Sequence, residues 1–194
     1  MKVLKIVLDT SLFVNPDARY LFGQTPKSAF SNFLDALKSK KNIHCYIPPS
    51  VYRELMKFVE GGLPSQKTIL INKKPPSSYD SAIPALFVYE FIEEFRMRIN
   101  KGLRIGEKYS RKALHASGSN TKEEEIIKHL REEYRVALRE GIIDSKEDFD
   151  LLLLARELNA HLATSDSGLI EWAQKLGIPC LSAQELKELL SNCA

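Results

Sequence analysis

The chain has 194 residues, a length that suits one domain or one domain with an inserted subdomain. Its 44% hydrophobic and 27% charged residues exclude a disordered chain, and no apolar run approaches the length of a membrane span. The net charge of +3 is unevenly spread, because residues 96–139 hold twelve Lys or Arg against six Asp or Glu, and the remainder holds sixteen against nineteen.

Strands and helices alternate in the first third of the chain. Residues 3–8 are apolar and rich in β-branched side chains, which predicts a buried strand. A helical period follows over 27–39, and a second strand is predicted over 43–47. Ser50 is predicted to cap the next helix. Residues 61–83 carry Gly-Gly, Pro-Pro and Ser-Ser pairs and are predicted to form a long loop or connector, with a short strand over 68–71 as an alternative.

Two helices are predicted in the middle of the chain. They span about 84–103 and 121–140, and the small polar residues within 110–120 are typical of a hairpin tip. Together they predict an inserted helical hairpin. The predicted organisation is a main domain of residues 1–83 and 141–194 with an insertion of residues 84–140.

The α/β pattern resumes after the hairpin. A helix is predicted to begin near Asp144, and a short strand follows over 161–164. The last elements are a helix over 169–176, a strand over 178–181 and a helix over 183–190. Strands that alternate with helices predict a parallel sheet between layers of helices, an α/β/α architecture in three layers.

The cysteines and histidines show no metal-ligand or disulfide pattern. Three cysteines leave one unpaired in any disulfide scheme, and the four histidines are scattered. The N-terminus leads straight into a strand without a signal-peptide pattern. We therefore expect a cytoplasmic protein with reduced thiols and no membrane association.

Four aspartates are expected to converge at one edge of the sheet. Asp9 and Asp166 each follow a predicted strand, and sites in open parallel sheets form beyond the carboxyl ends of the strands. Asp144 and Asp148 lie four residues apart at the start of a helix and therefore on one face of it. Asp150, two residues from Asp148, is expected to point away into solvent.

Carboxylates gathered in this way repel one another unless a cation neutralises them. Mg²⁺ or Mn²⁺ fits oxygen ligands without histidine or cysteine, and it activates water against phosphodiesters. Each aspartate also has a structural alternative. Asp144 and Asp148 are suited to cap a helix or favour its dipole, Asp9 to bond the backbone of Thr10 and Ser11, and Asp166 to begin a turn.

The motifs around these acids resemble the PIN domain, a Mg²⁺- or Mn²⁺-dependent nuclease fold. The resemblance rests on Asp9 in "VLDTS", Glu54 in "SVYREL", and the spacing from Asp148 to Asp166 in "DFDLLLLARELNAHLATSD". It covers about 1–60 and 141–194. A PIN-like α/β fold with an inserted helical hairpin is what it implies.

A closer resemblance covers nearly the whole chain. The segments "DTSLFVNP", "GIIDSKEDFD" and "LATSDSGLIEWA", with the basic hairpin between them, are similar to the HARP family. Its members are minimal protein-only ribonuclease P enzymes, also labelled RNA ligase partner proteins. The resemblance implies removal of the 5′ leader from precursor tRNA and large homo-oligomers. It places the catalytic, metal-binding acids at Asp9, Asp144, Asp148 and Asp166, with Glu54 as a further metal ligand.

The second helix of the hairpin carries a basic stripe of four residues, Lys128, Arg131, Arg135 and Arg139. At 100° per residue they fall within about 80° of one another. Such runs are usually solvated faces, and on that alternative the stripe would be paired with acids such as Glu124 and Glu132. Beside a nuclease-like site, contact with the RNA backbone is favoured.

The first helix of the hairpin carries an apolar stripe, and a two-helix protrusion cannot bury two apolar faces by itself. We therefore expect self-association through the hairpin. Two other functions stay open at this point: a toxin-type PIN ribonuclease, which is usually shorter, and a non-catalytic RNA-binding partner of an RNA ligase.

Overall fold

The structure is a computed structural model that describes residues 3–59, 68–77, 82–116, 123–139 and 145–191. Contacts between Cα atoms divide the chain into two compact units. The first, the sheet unit, comprises Met1–Ala82 and Ile143–Ala194, and the second, the hairpin unit, comprises Ile83–Ile142.

A five-stranded sheet forms the centre of the sheet unit. Its strands are β1 (Leu4–Leu8), β2 (Ile43–Ile47), β3 (Ile71–Lys73), β4 (His161–Ala163) and β5 (Cys180–Leu181). They lie in the order β3-β2-β1-β4-β5, and all pairs are parallel. Ile6, Val7 and Leu8 of β1 are fully buried, as expected of a strand that is covered on both faces. The predicted α/β class with a parallel sheet is confirmed.

The strand order determines where a site can form. β1 pairs with β2 from Leu4 opposite Ile43, and on its other side with β4 from Ile6 opposite His161. The chain thus builds the sheet outward from β1 in one direction and returns to extend it in the other. In open parallel sheets a crevice forms at this reversal, beyond the carboxyl ends of the strands.

The helices are numbered along the whole chain: α1 (Ser11–Val14), α2 (Pro16–Arg19), α3 (Pro26–Leu37), α4 (Pro49–Phe58), α5 (Ala85–Ala116), α6 (Glu123–Arg139), α7 (Lys146–Leu158), α8 (Ser167–Lys175) and α9 (Ala183–Ser191). Sequence periodicity missed α1 and α2, which are too short to show a helical repeat. Both begin with local signals, since Pro16 opens α2 and the side chain of Asn15 accepts a hydrogen bond from the Asp17 amide.

Aromatic side chains pack the segment after β1 against α3. The ring of Phe13 lies 5.0 Å from that of Phe30 and 5.2 Å from that of Phe33, while Phe22 lies 6.0 Å from Phe33. Offset and edge-on ring contacts at these distances add to the area that the rings bury. The backbone next to Asp9 is therefore anchored in the core.

The hairpin unit is formed by α5 and α6. Ile105 and Tyr109 of α5 and Ala137 of α6 are buried together. A Cβ at Gly102 would lie 2.8 Å from Cε2 of Tyr134, so the two helices approach closely where α5 has no side chain. The guanidinium of Arg98, which is nearly buried, donates to the carbonyl of Leu138.

Some predicted boundaries were wrong. α5 continues to Ala116 instead of ending at Leu103, because Ile105 and Tyr109 keep packing against α6 beyond Gly102. The loop predicted over 61–83 contains β3, whose Ile71 is buried beside Cys45. The rest of the predicted hairpin tip, 117–120, lies outside the described residues. None of the helices in the described ranges combines the length and apolarity that crossing a membrane requires.

Candidate active site

A cleft of about 710 Å³ opens in the sheet unit where β1 and β4 end. Acids from four separate elements line it: Asp9, Glu54, Asp148 and Asp166. They follow β1, belong to α4, belong to α7 and follow β4, respectively. Asp144, the remaining acid expected here, lies outside the described residues. The structure thus brings together every predicted site acid that it describes.

Asp9 is buried and its carboxylate is held by hydroxyl groups. Oδ2 accepts hydrogen bonds from Ser11 Oγ at 2.5 Å and from Thr164 Oγ1 at 2.6 Å, and Oδ1 accepts a longer one from Thr10 Oγ1 at 3.3 Å. A buried carboxylate is unfavourable without such hydrogen-bond partners. Its bonds therefore reach across to the end of β4, and not only to its own loop.

The same hydroxyls also hold the segment that carries Asp166. Thr164 Oγ1 accepts a hydrogen bond from the Asp166 amide at 3.0 Å, and Ser11 Oγ accepts one from the Ser165 amide at 2.9 Å. Asp166 itself is the N-cap of α8, and its Oδ1 accepts from the Leu169 amide at 2.9 Å. One oxygen of Asp166 therefore has a structural role as the helix cap. This bond fixes the carboxylate at the rim of the cleft.

The start of α7 contributes two acids to the cleft. Ser145 is the N-cap, and its hydroxyl accepts from the Asp148 amide at 3.0 Å, whereas Asp144, the cap considered from the sequence, lies outside the described residues. Asp148 and its neighbour Glu147 both line the cleft. The sequence analysis missed Glu147. Its position in the first turn, beside Asp148, was the only signal that could have indicated it.

Two predictions about polar side chains were wrong, and one contact explains both. Ser50 does not cap α4, whose N-cap is Pro48 without a side-chain bond. Its hydroxyl instead donates to Asp150 Oδ2 at 2.7 Å, so Asp150 is not simply solvated. This bond joins α4 to α7, the two helices that supply Glu54 and Asp148.

The pKa of Glu54 reflects the charge and the solvation of the cleft. Burial raises the pKa of its carboxyl, and the negative charges of Asp9 and Glu147 raise this pKa further, while Lys57 lowers it. The first two causes mean that the cleft concentrates negative charge at reduced solvation. A bound cation would offset both the lost solvation of the carboxylates and their mutual repulsion.

The donor chemistry of the cleft suits a hard divalent cation. Among the described residues, no three Asp, Glu, His or Cys side chains are arranged to hold one ion by themselves. Mg²⁺ usually takes only one or two carboxylates and completes its shell with water and substrate phosphate. Carboxylates and hydroxyls without histidine or cysteine therefore fit Mg²⁺ or Mn²⁺.

The basic stripe on α6 belongs to the hairpin unit. Lys128, Arg131 and Arg135 are exposed and line one shallow depression together with Glu124 and Glu132. Within the described ranges these three cations form no ion pair. Glu132 lies instead 3.7 Å from Nδ1 of His129. Arg139 ends α6, and its side chain lies outside the described part. The alternative of a face paired with Glu124 and Glu132 is therefore not seen among the described side chains.

Comparison with known proteins finds similarity over almost the entire chain. The family model of the PINc domain ribonucleases matches residues 5–194. A Thermodesulfovibrio yellowstonii protein named RNA-free ribonuclease P is 50% identical over 97% of this chain and 94% of that protein. A Pyrococcus horikoshii protein of the same name is 48% identical over 98% and 93%. Among solved structures, a PilT N-terminus domain protein from Sulfolobus solfataricus aligns over 98% of this chain and 97% of that chain, with 13% identity and a TM-score of 0.46.

Proposed function

The chain belongs to the PINc domain ribonucleases, in the family of the RNA-free ribonucleases P, and we propose that it removes the 5′ leader of precursor tRNA by metal-dependent hydrolysis. Membership in this family confirms the resemblance drawn from the sequence. The observation that supports the proposal most is the convergence of Asp9, Glu54, Asp148 and Asp166 in one cleft.

The proposed ligands of Mg²⁺ or Mn²⁺ are Asp9, Asp144, Asp148 and Asp166, with Glu54 as a further ligand. A bound ion of this kind would activate water and stabilise charge on the phosphodiester. The protein's own contribution is to hold the carboxylates in place. The hydroxyls of Ser11 and Thr164 orient Asp9, and the α8 backbone orients Asp166. The proposed products carry 5′-phosphate and 3′-hydroxyl ends.

The hairpin unit is proposed to bind the substrate through the basic stripe Lys128, Arg131, Arg135 and Arg139. The guanidinium groups of Arg131 and Arg135 are exposed and form no ion pair with any described residue, so they are suited to bidentate contacts with phosphate. Helical RNA is recognised mostly through its backbone and shape, which matches a stripe without aromatic side chains.

Self-association through the hairpin is part of the same proposal. α5 leaves an apolar stripe in solvent, formed by Val88, Ile92, Phe95, Ile99 and Leu103. Their exposed fractions run from 44% to 61%, which is unusual for five large apolar side chains in one row. A second copy of the chain is the proposed cover for this row.

The cytoplasm is the proposed compartment, as the cysteines suggest. Burial raises the pKa of the Cys45 thiol to about 12, and it also raises the pKa of Cys180. Thiols in this state are poor nucleophiles and suit structural positions in a reducing compartment.

Cleavage of a 5′-labelled precursor tRNA tests the proposed function. We expect one cut at the mature 5′ end in Mg²⁺ and none in EDTA. Asp148→Asn should lower the rate by at least about 100-fold, the upper end of what losing a residue that supports a metal ligand costs. Asp17→Asn, the same chemical change at an exposed position outside the cleft, should cleave like the wild type.

Each other outcome contradicts the proposal in a specific way. Scattered cuts would move the protein to another class of PIN ribonuclease, including the toxin type. Tight binding without cleavage would favour a non-catalytic RNA-binding partner. Equal rates for Asp148→Asn and Asp17→Asn would remove Asp148 from the active site.

A further inference from the structure

One face of α4 presents both signs of charge to the cleft. Ser50, Arg53, Glu54 and Lys57 all line it, and their spacing of three, one and three residues places them on one side of a helix. Val51 and Leu55 on the other side are buried. Glu54 alone was expected at the site, and the two cations have no role in the function proposed so far.

The orientation of this face is held at two points. Ser50 donates its hydrogen bond to Asp150 of α7, at 2.7 Å. The ammonium of Lys73, at the end of β3, lies 3.8 Å from the centre of the Tyr52 ring, which is a cation–π contact. α4 is therefore tied to α7 and to the sheet, and Arg53 and Lys57 are kept at the cleft.

Both cations remain available to a ligand. They are exposed, and in the described part of the chain neither forms an ion pair, although five carboxylates line the same cleft. A guanidinium with uncommitted donors matches a phosphate in bidentate geometry, whereas an ammonium contributes a compact charge.

The charge balance of the cleft indicates a function for the two cations. Five described carboxylates stand against two cations: Asp9, Glu54, Glu147, Asp148 and Asp166 against Arg53 and Lys57. Without the cations, even two divalent ions would leave this lining with a negative formal charge, which repels a polyanion. With the cations, two divalent ions neutralise this lining even when the proposed ligand Asp144 is counted, so the repulsion is removed.

We propose that Arg53, together with Lys57, binds a backbone phosphate of the RNA next to the linkage that is cut. This inference rests on the ribonuclease function proposed above. One face of α4 then carries both an acid of the site and the cations that bind the substrate's phosphate. The contact recognises phosphate and not a base, so it acts on every substrate alike.

The test compares Arg53→Gln with Lys187→Gln, which removes a charge from an exposed position of α9 outside the cleft. The measured quantity is kcat/KM for 5′-labelled precursor tRNA at several salt concentrations. Arg53→Gln should lower kcat/KM by about 10- to 100-fold, as the loss of a charged hydrogen bond does. It should also make the slope of log(kcat/KM) against log[salt] shallower by about one, because one phosphate contact is lost. Lys187→Gln should change neither.

Two further variants separate charge from geometry. Arg53→Lys should keep the salt slope and recover only part of kcat/KM, because the ammonium lacks the planar fork. Lys57→Gln should reduce the slope as well, with a smaller loss of kcat/KM.

The outcomes distinguish a failure of the phosphate contact from a failure of the proposed ribonuclease function. No cleavage by the wild type would contradict the proposed function itself. Cleavage by the wild type with equal values for Arg53→Gln and Lys187→Gln would overturn the phosphate contact alone. A lower rate for Arg53→Gln with an unchanged salt slope would also overturn it, since Arg53 would then act on the structure and not on the RNA.

Discussion

Among single residues, Thr164 links two acids of the site. It is fully buried, and its hydroxyl donates to Asp9 Oδ2 and accepts from the Asp166 amide. We expect Thr164→Val to lower the free energy of unfolding by about 1–3 kcal/mol, because it leaves buried polar groups without this partner. Cleavage should fall too, since the orientation of Asp9 depends on this bond. Urea unfolding and single-turnover cleavage measure the two effects.

Thr10→Val is the matched control for this substitution. Thr10 also donates to Asp9, but over 3.3 Å and from a half-buried position, so its loss should cost less on both measures. If both variants lost the same stability and activity, Thr164 would have no special role in holding Asp9.

The sequence identified the acids whose positions follow from their own element. Asp9 comes directly after β1, Asp166 lies in the short connection between β4 and α8, and Asp148 lies in the first turn of a helix, so a parallel sheet is enough to bring them together. Asp150 and Ser50 were misjudged because their bond joins two helices a hundred residues apart. Periodicity gives the face of one helix but not which neighbour that face meets.

At the scale of elements, an ion pair with a hydrogen bond from a tyrosine joins the two helices of the hairpin. Lys108 Nζ lies 2.7 Å from Glu133 Oε1, and the Tyr109 hydroxyl donates to Glu133 Oε2 at 3.0 Å. The bond from Lys108, and then that from Tyr109, lowers the pKa of Glu133 below its ordinary 4.5. The stabilisation from Glu133 is therefore present above pH 4.5 and is lost as the pH falls through the lowered pKa.

Hydrogen exchange of α5 and α6 amides in the wild type and Glu133→Gln measures this contribution. The wild type should be better protected at neutral pH, and the difference should disappear below the lowered pKa of Glu133. Glu107→Gln, at an exposed position of α5, should match the wild type at every pH. A difference between the wild type and Glu133→Gln that persists in acid would contradict the assignment to the charged carboxylate.

The elements that the sequence predicted well are those with a strong internal pattern. β2 has the predicted bounds, and α3 and α6 lie within two residues of theirs. α5 was cut short because its continuation beyond Gly102 depends on Ile105 and Tyr109 packing against α6, another helix. β3 is only three residues long and exists through its pairing with β2. Elements that are stabilised by partners distant in sequence leave little signal in their own residues.

For the whole molecule, the exposed apolar row on α5 determines the expected assembly. We expect the wild type to be a homo-oligomer, and Phe95→Glu or Ile99→Glu to dissociate it into smaller species, because a charge in a buried apolar interface is strongly unfavourable. Light scattering coupled to size exclusion measures the mass directly.

Arg104→Glu is the control for this prediction. Arg104 lies about 140° around α5 from the middle of the apolar row, so the new charge does not meet the proposed interface. The mass of this variant should equal that of the wild type. A monomeric wild type, or an unchanged mass for Phe95→Glu and Ile99→Glu, would show that this row does not hold the assembly together.

The central place of β1 in the sheet has a consequence for synthesis on the ribosome. Asp9 emerges early, but Thr164 and Asp166 come from a strand on the other side of β1 that is translated near the end. A chain that is released before His161 lacks β4 and cannot complete the cleft around Asp9. Abortive translation products of this length therefore carry Asp9 without the residues that hold it and without Asp166.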